Sequence, residues 1–164
     1  ARQPRKLASD IPRRYKACAL VGNGPGLRLP GMGAVIDAHD AVFKFNVYNL
    51  GPRPGTMWDN TTRFAGDKQT FRVFNKKRSL LPEEWGLRPA EGERWLMWHL
   101  GSTDYTPRLY GFNPETRFLS PELLDRQVEA YFAYRRDARR LGLAEGGVAC
   151  PANMPSGLHA AMLA

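Results

Sequence analysis

A glycine-rich turn and two asparagines are the residues of this 164-residue chain whose types and spacing could bind a ligand. The turn, Gly22-Asn-Gly-Pro-Gly26, follows an apolar run over 16–22 that is typical of a buried strand. Glycines let a ligand approach the backbone, whose amides can face a phosphate, although an ordinary tight turn needs glycines too. Asn23 lies in the turn and Asn46 ends the next predicted strand. Since parallel strands end at one edge of a sheet, we expect the two carboxamides to converge there.

The turn does not match the two commonest phosphate-binding motifs. A dinucleotide fingerprint needs glycine where Leu27 stands, and a P-loop needs a Gly-Lys-Ser/Thr sequence that is absent. The predicted second strand ends in Asn46 rather than in the acidic residue that would bind a ribose. These departures disfavour a dinucleotide-dependent oxidoreductase, which is the most obvious competing class.

The elements that must position these residues alternate between strands and helices. Apolar runs predict strands over 16–22, 41–46, 70–75 and 94–100, and spacing predicts a short helix over 34–38. Pro121 and Gly142 frame a long amphipathic helix, and residues 155–164 form a turn that leads into a helix. The composition of residues 1–14 indicates a basic tail or linker, and that of residues 47–62 indicates a loop. The pattern predicts one α/β domain with a mainly parallel sheet.

Composition narrows the partners without identifying them. The net charge of +8 favours nucleic acid, anionic lipid or a negatively charged small substrate, or it reflects only solvated faces. No nucleic-acid-binding signature, signal peptide or run of about 18 apolar residues is present. The chain begins at Ala1 and stops within a helical pattern at Ala164, so we expect both ends to be cut.

The chain's chemistry-bearing segments resemble the motifs of eukaryotic sialyltransferases. Residues 18–28 and 33–46, with the order Cys, Gly-Asn-Gly, Gly, Ile-Asp-x-His-Asp and a strand-closing Asn, resemble the large sialylmotif, and 66–75 resembles its end. Residues 154–164 resemble the opening of the small sialylmotif. Two departures are a longer connection over 47–62 and a single hydroxyl residue, Ser156, between Pro155 and Gly157. The resemblance covers well over half of the chain.

The resemblance implies a Rossmann-like variant of the nucleotide-sugar glycosyltransferase (GT-A-like) fold, with 15–164 as a partial catalytic domain truncated at its C-terminus. The implied reaction, part of protein glycosylation, transfers sialic acid or a related 2-keto sugar from a CMP-sugar to a glycan hydroxyl, with inversion and without a metal cofactor. The implied substrate contacts are the following: Asn23 and Asn46 to CMP, Gly24 and Pro25 near the phosphate or ribose, and Ser156 and Gly157 to the donor.

The resemblance also implies features that this chain does not contain. The family's catalytic base is a His in later motifs, so we assign no catalytic residue and expect the base beyond Ala164. His39 matches a motif position and is interpreted as a structural hydrogen-bonding group. The family location is the lumenal side of the Golgi membrane, through an anchor missing here. The alternative to an enzyme is a catalytically inactive nucleotide-binding fragment or binding module that lacks the base.

Two cysteines leave their pairing open. Cys18 and Cys150 have no zinc-ligand spacing, and two thiols are too few to prove a disulfide. The resemblance implies that Cys18 pairs with a small-motif Cys beyond Ala164, which Cys150 does not match. Cys150 could instead pair with Cys18 or with another thiol.

Overall fold

Five parallel strands form the centre of the protein in the computed structural model, which describes residues 15–22, 31–46, 61–79, 88–143 and 156–164. The sheet has the order β1-β2-β3-β4-β5. The strands are β1 (Cys18–Val21), β2 (Ala41–Phe45), β3 (Phe71–Phe74), β4 (Arg94–Met97) and β5 (Thr116–Phe118). Every neighbouring pair is parallel. This confirms the predicted α/β class and a mainly parallel, Rossmann-like sheet.

The helices are short except for one. They are α1 (Met32–Asp37), α2 (Thr61–Ala65), α3 (Lys76–Ser79), a 3₁₀ segment (Leu100–Tyr105), α4 (Thr106–Phe112), α5 (Pro121–Arg140) and α6 (Ser156–Ala161). The predicted loop over 47–62 overlaps the first two residues of α2, and its residues 47–60 lie outside the described part. The predicted fourth strand stops at Met97 because the side chain of His99 accepts the N–H of Gly101 and starts the 3₁₀ segment.

The long helix α5 has the termini that its sequence predicted. The hydroxyl of Ser120 accepts the N–H of Leu123, and Pro121 occupies the first turn, where its missing N–H costs nothing. Gly142 follows the helix with φ +69°, a left-handed conformation that glycine adopts without strain.

The two faces of the sheet differ in chemistry. Alternation along the strands directs one set of side chains towards α6, whose Ala160 joins the buried cluster of Ala41, Phe43, Phe45, Phe71, Val73 and Leu96. The opposite face packs against α1, α2 and α4, and it buries Lys44 and Arg72 among apolar residues. All three of these helices lie on one face, as expected when consecutive parallel strands are joined by connections of the same hand.

Since all five strands run in one direction, they share two edges. We call the edge where the strands end the carboxyl edge, and the edge where they begin the amino edge. The strand order does not reverse among these five strands, so no topological switch point indicates where a ligand would bind. Ligands of open α/β sheets bind beyond the carboxyl ends of the strands, so the carboxyl edge is the candidate site. Within the described ranges, no helix is both long and apolar enough to cross a bilayer.

Candidate functional site

Asn46 lies at the carboxyl edge of β2 in a conformation that few residues tolerate. Its φ is +53°, in the left-handed region that asparagine adopts more readily than other residues with a Cβ. Its N–H donates to the carbonyl of Val73 at 2.9 Å, and its Oδ1 accepts the N–H of Asn75 at 2.9 Å. The carboxamide is therefore held against the end of β3 by its oxygen, and its Nδ2 group is the part left for a ligand among the described residues.

A buried ion pair supports Asn46 from inside the sheet. Arg72 on β3 donates through Nη1 to the carbonyl of Asn46 at 3.2 Å and through Nε to Glu93 Oε1 at 2.6 Å. Both charged side chains are almost completely buried. Glu93 also accepts the indole N–H of Trp95 at 2.9 Å and the backbone N–H of Ala90 at 2.7 Å. The carboxylate is thus fully hydrogen-bonded, as a buried charge must be to persist.

Ser156 reaches the same edge from α6. Its Oγ accepts the indole N–H of Trp98, the residue that follows β4, at 2.8 Å. This contact joins positions 58 residues apart and places Ser156 at the carboxyl end of β4. At Gly157, an added Cβ would meet no atom of the described residues within 4 Å, so this position borders open space within that part of the chain.

His159 anchors α6 to the rest of the protein. Its ring stacks on that of Trp98 with centroids 4.4 Å apart, and its Nδ1 donates to Gln127 Oε1 of α5 at 2.6 Å. Burial lowers the pKa of His159 to about 4, so the ring is neutral at physiological pH and carries its proton on Nδ1. A buried neutral imidazole held on both sides is a structural group rather than a proton acceptor for a substrate.

Three of the predicted site residues are therefore at the carboxyl edge. Asn46 follows β2, while Ser156 and Gly157 lie at the end of β4. Strands two positions apart are separated by about 10 Å, which suits a small molecule lying across β3 rather than a direct contact. The other predicted contacts, Asn23, Gly24 and Pro25, lie outside the described residues, as does Cys150, so those predictions stay predictions.

The motif acids that carried much of the resemblance lie at the opposite edge. Asp37 accepts the N–H groups of Asp67 and Lys68, each at 2.9 Å. Asp40 accepts those of Lys16 at 2.9 Å and Ala17 at 3.1 Å. Both carboxylates therefore tie together the chain segments that enter the strands.

The histidine between these acids has the structural role that its sequence position indicated. His39 donates from Nδ1 to the carbonyl of Val35 at 2.9 Å, and its own carbonyl accepts the ammonium of Lys68. These contacts close the turn that follows α1, away from the carboxyl edge.

Two further groups that could do chemistry are occupied by the fold. Lys44 is buried and donates to the carbonyl of Gly66 at 2.7 Å, and desolvation lowers its pKa. Cys18 is a free thiol whose Sγ lies 3.9 Å from the carbonyl oxygen of Ala164. Burial, and then the nearby Asp40 carboxylate, raises the pKa of this thiol, which disfavours the reactive thiolate.

No group of three or more His, Cys, Asp or Glu side chains is arranged to hold a metal in the part of the chain that the structure describes. Sequence reasoning missed the supporting residues Arg72, Glu93, Trp98 and Gln127. Their contacts span 20 to 60 residues of sequence, and no local pattern signals such pairs; the one available hint was a charged residue inside the apolar third strand.

Comparisons with known proteins identify relatives of the N-terminal half. Residues 2–80 match the family described as glycosyltransferase family 29 (sialyltransferase). The chain is 50% identical over 89 residues to a rice protein named sialyltransferase-like protein 2, an overlap of 54% of this chain and 22% of that protein. It is 34% identical over 74 residues to bovine beta-galactoside alpha-2,6-sialyltransferase 2, which covers 45% of this chain and 13% of the bovine protein.

A third relative has the same pattern of partial overlap. The Arabidopsis thaliana sialyltransferase-like protein 2 is 32% identical over 66 residues, or 40% of this chain and 13% of the relative. The matched region thus spans less than a quarter of the length of each of these relatives.

Proposed function

We propose that this chain forms the donor-binding part of a sialyltransferase-like enzyme, because residues 2–80 match the family described as glycosyltransferase family 29 (sialyltransferase). The proposed reaction moves sialic acid, or a related 2-keto sugar, from a CMP-sugar to a glycan hydroxyl, with inversion at the transferred carbon. The observation that carries the proposal is the convergence of Asn46 and Ser156 on the carboxyl edge of one parallel sheet.

The hydrogen-bonding state of these two residues suits an anionic donor. Asn46 uses its side-chain oxygen internally, and Ser156 uses its oxygen as an acceptor for Trp98. What each offers to a ligand is a hydrogen-bond donor, the Nδ2 amide and the hydroxyl proton respectively. Phosphate, carboxylate and pyrimidine carbonyl oxygens are all acceptors, so a CMP-sugar presents the complementary groups.

A metal-free mechanism places specific demands on such a site. Negative charge develops on the departing CMP, and preorganised hydrogen-bond donors can stabilise it without a cation. In the proposal, Asn46 and Ser156 hold the nucleotide, Gly157 leaves room for it, and Asn23 with the backbone of Gly24 and Pro25 completes the site. No metal cofactor takes part.

The acceptor hydroxyl must lose a proton as it attacks, and this chain's histidines do not suit that task. His39 lies at the amino edge, away from the proposed donor site. His99 accepts the N–H of Gly101 at Nδ1, so its neutral ring carries the proton on Nε2. His159 is buried with a pKa of about 4. We therefore propose that the base is supplied outside residues 1–164 in the complete enzyme. The proposed setting is protein glycosylation at the lumenal side of the Golgi membrane, with Cys18 in a disulfide.

The second candidate function is a nucleotide-binding module that lacks catalysis. The placement of the three histidines favours it, because such a module needs the Asn46 and Ser156 contacts but no base. Both candidates predict CMP binding, and only the enzyme predicts transfer when the chain is part of a complete protein.

Calorimetric titration of this chain with CMP, against UMP and AMP, tests the donor site. We expect saturable, CMP-selective binding that EDTA does not change. The Asn46→Gly variant should lose much of that affinity, while Gly92→Ala, at a turn before β4, serves as a surface control. A folded sample that binds none of the three nucleotides, or that needs a divalent cation, would contradict the proposed site.

A further inference from the structure

Trp98 donates a hydrogen bond to the Ser156 hydroxyl at the carboxyl edge and so influences the direction in which that hydroxyl can donate. We propose that Trp98, fixed by His159 and Gln127, is a positioning residue that makes the Ser156 hydroxyl a directed hydrogen-bond donor to an anionic oxygen of the ligand. We call Trp98, Ser156, His159 and Gln127 the Trp98 cluster. The inference rests on the proposed function and adds to it a residue and a role that the motifs do not contain.

The first step is the direction of the hydrogen bond between Trp98 and Ser156. An indole nitrogen can only donate, so at 2.8 Å the Ser156 oxygen must be the acceptor. The hydroxyl proton then points to a different partner. No acceptor for it is found among the described residues, and α6 begins at Ser156, beside the open space at Gly157. The proton is therefore available to a ligand at the carboxyl edge.

The second step is the rigidity of the indole. One face of Trp98 stacks on His159, with an interplanar angle of 22° and 4.4 Å between centroids. His159 is 2% exposed and Gln127 is 3% exposed, and their side chains share a 2.6 Å hydrogen bond. The Gln127 amide also donates to the carbonyl of His159 at 3.4 Å. The indole ring is thus held in place by residues of two helices, α5 and α6, and its N–H in turn fixes the position of the Ser156 oxygen.

The third step is the chemistry of what Ser156 faces. The Trp98 cluster has no charged side chain, so it would stabilise a bound anion through the oriented O–H group of Ser156. A hydrogen bond to a charged group is about twice as strong as one to a neutral group. The contact should therefore matter for CMP, which carries a phosphate, and little for cytidine, which does not.

The chain provides a matched control close by, in the strand that Trp98 follows. Trp95 lies three residues before Trp98 on the opposite face of β4, and its indole N–H also donates to a single side chain, Glu93, at 2.9 Å. Replacing either tryptophan by phenylalanine removes one indole N–H and the same volume. Only the Trp98→Phe change removes a bond to Ser156.

The test is a pair of double-mutant cycles read as the dissociation constant for CMP and for cytidine. We expect Ser156→Ala to weaken CMP about 10- to 100-fold and to leave cytidine nearly unchanged. Trp98→Phe should produce part of that loss and should add almost nothing in the Ser156→Ala background. Trp95→Phe should combine multiplicatively with Ser156→Ala. Ser156→Thr, which keeps the hydroxyl, should retain most of the affinity for CMP.

Two readouts separate the failure of this inference from the failure of the proposed function. Losses from Trp98→Phe and Ser156→Ala that multiply, or that affect cytidine equally, overturn the positioning role of Trp98. Absence of CMP binding by the parent chain overturns the proposed function. The hydrogen bond between Trp98 and Ser156 can then still be tested by NMR, as the exchange protection of the Trp98 indole proton with and without Ser156→Ala. If Trp98→Phe does not fold, the Ser156→Ala and Ser156→Thr pair decides between a donated hydroxyl and mere packing.

Discussion

The two edges of the sheet use polar side chains in opposite ways. At the amino edge, Asp37 and Asp40 each accept two backbone N–H groups, so their acceptor capacity is directed at the protein itself. At the carboxyl edge, Asn46 and Ser156 each make one internal bond through oxygen and keep a donor. All four residues lie in segments that resemble family motifs, yet of these four side chains only Asn46 and Ser156 keep a hydrogen-bond donor for a ligand.

This difference shows that motif membership and ligand contact are separate properties. The amino-edge carboxylates hold the entry points of β1, β2 and β3 together, which is a folding task. The carboxyl-edge groups depend on support from elsewhere, the Arg72–Glu93 pair for Asn46 and the Trp98 cluster for Ser156. Substitutions at the amino edge should therefore reduce stability alone, while those at the carboxyl edge should reduce CMP affinity first.

Arg72→Met should have the largest effect on stability. It should also weaken CMP binding, so this one change should affect both of the properties that we otherwise assign to different edges. It leaves the Glu93 carboxylate buried without its counter-ion and removes a bond to the carbonyl of Asn46. Losing one partner of a buried ion pair costs about 3–5 kcal/mol. We expect that loss in the free energy of unfolding, measured by urea denaturation, together with weaker CMP binding.

The matched control for Arg72→Met is the same change combined with Glu93→Gln. The glutamine removes the unpaired charge and keeps a carbonyl oxygen for the N–H of Trp95 or Ala90, so part of the stability should return. CMP affinity should not return, because the bond to Asn46 is still missing. A single variant as stable as the parent would show that the pair does not support the sheet.

Gly66→Ala should come next and should affect the amino edge alone. Gly66 has φ +68°, and an added Cβ would collide with the Asp37 side chain and lie 2.8 Å from the backbone oxygen of Gly33. Left-handed strain of about 1–2 kcal/mol and overpacking of about 1–3 kcal/mol predict a loss of roughly 2–5 kcal/mol in unfolding free energy.

Gly92→Ala isolates the strain in that prediction. Gly92 has φ +71°, but its Cβ would meet no atom of the described residues within 4 Å, so we expect only the left-handed penalty of about 1–2 kcal/mol. Both variants should bind CMP normally under conditions where they are folded. Equal losses for the two glycines would mean that Asp37 and Gly33 can move aside.

The sequence predicted the elements that depend on neighbouring residues, and it did not predict contacts between residues that are far apart in the chain. Four apolar runs predicted four of the five strands, and the position of Asn46 at a strand end predicted its place at the carboxyl edge. The strand β5 was missed because it has three residues, one of them Arg117. The helix α4 was missed because Pro107 and Gly111 interrupt its pattern, although proline fits a first turn. The Trp98 contacts were missed because they join residues far apart in sequence.

The protonation of His159 should have the third-largest effect, and it sharpens the comparison by acting on the carboxyl edge. Its pKa is about 4 in the folded protein because of burial, against about 6.5 in an unfolded chain. The unfolded state therefore binds the proton more tightly, and stability is lost as the pH falls from about 6.5 to 4. The full shift corresponds to about 3 kcal/mol.

Urea denaturation at a series of pH values between 7 and 4 measures this loss. His159→Phe keeps an aromatic ring against Trp98 and removes the titrating group, so its stability should fall less steeply over that interval. CMP affinity should decline with the parent's stability, because protonation disturbs the ring that holds Trp98. A pH slope that is identical in the parent and the variant would assign the acid sensitivity to other groups.

Asn46→Gly compared with Asn46→Ala should show the smallest change in stability and the clearest separation of folding from binding. Both variants lose the bond to the Asn75 N–H, worth about 1 kcal/mol, but only alanine adds left-handed strain of about 1–2 kcal/mol at φ +53°. We therefore expect the glycine variant to unfold at the higher urea concentration. CMP affinity should fall equally in both, because neither has a carboxamide to donate. If affinity instead follows stability, with alanine binding more weakly than glycine, Asn46 acts on the site through the backbone alone, and the carboxyl edge would resemble the amino edge in using its polar residue for folding.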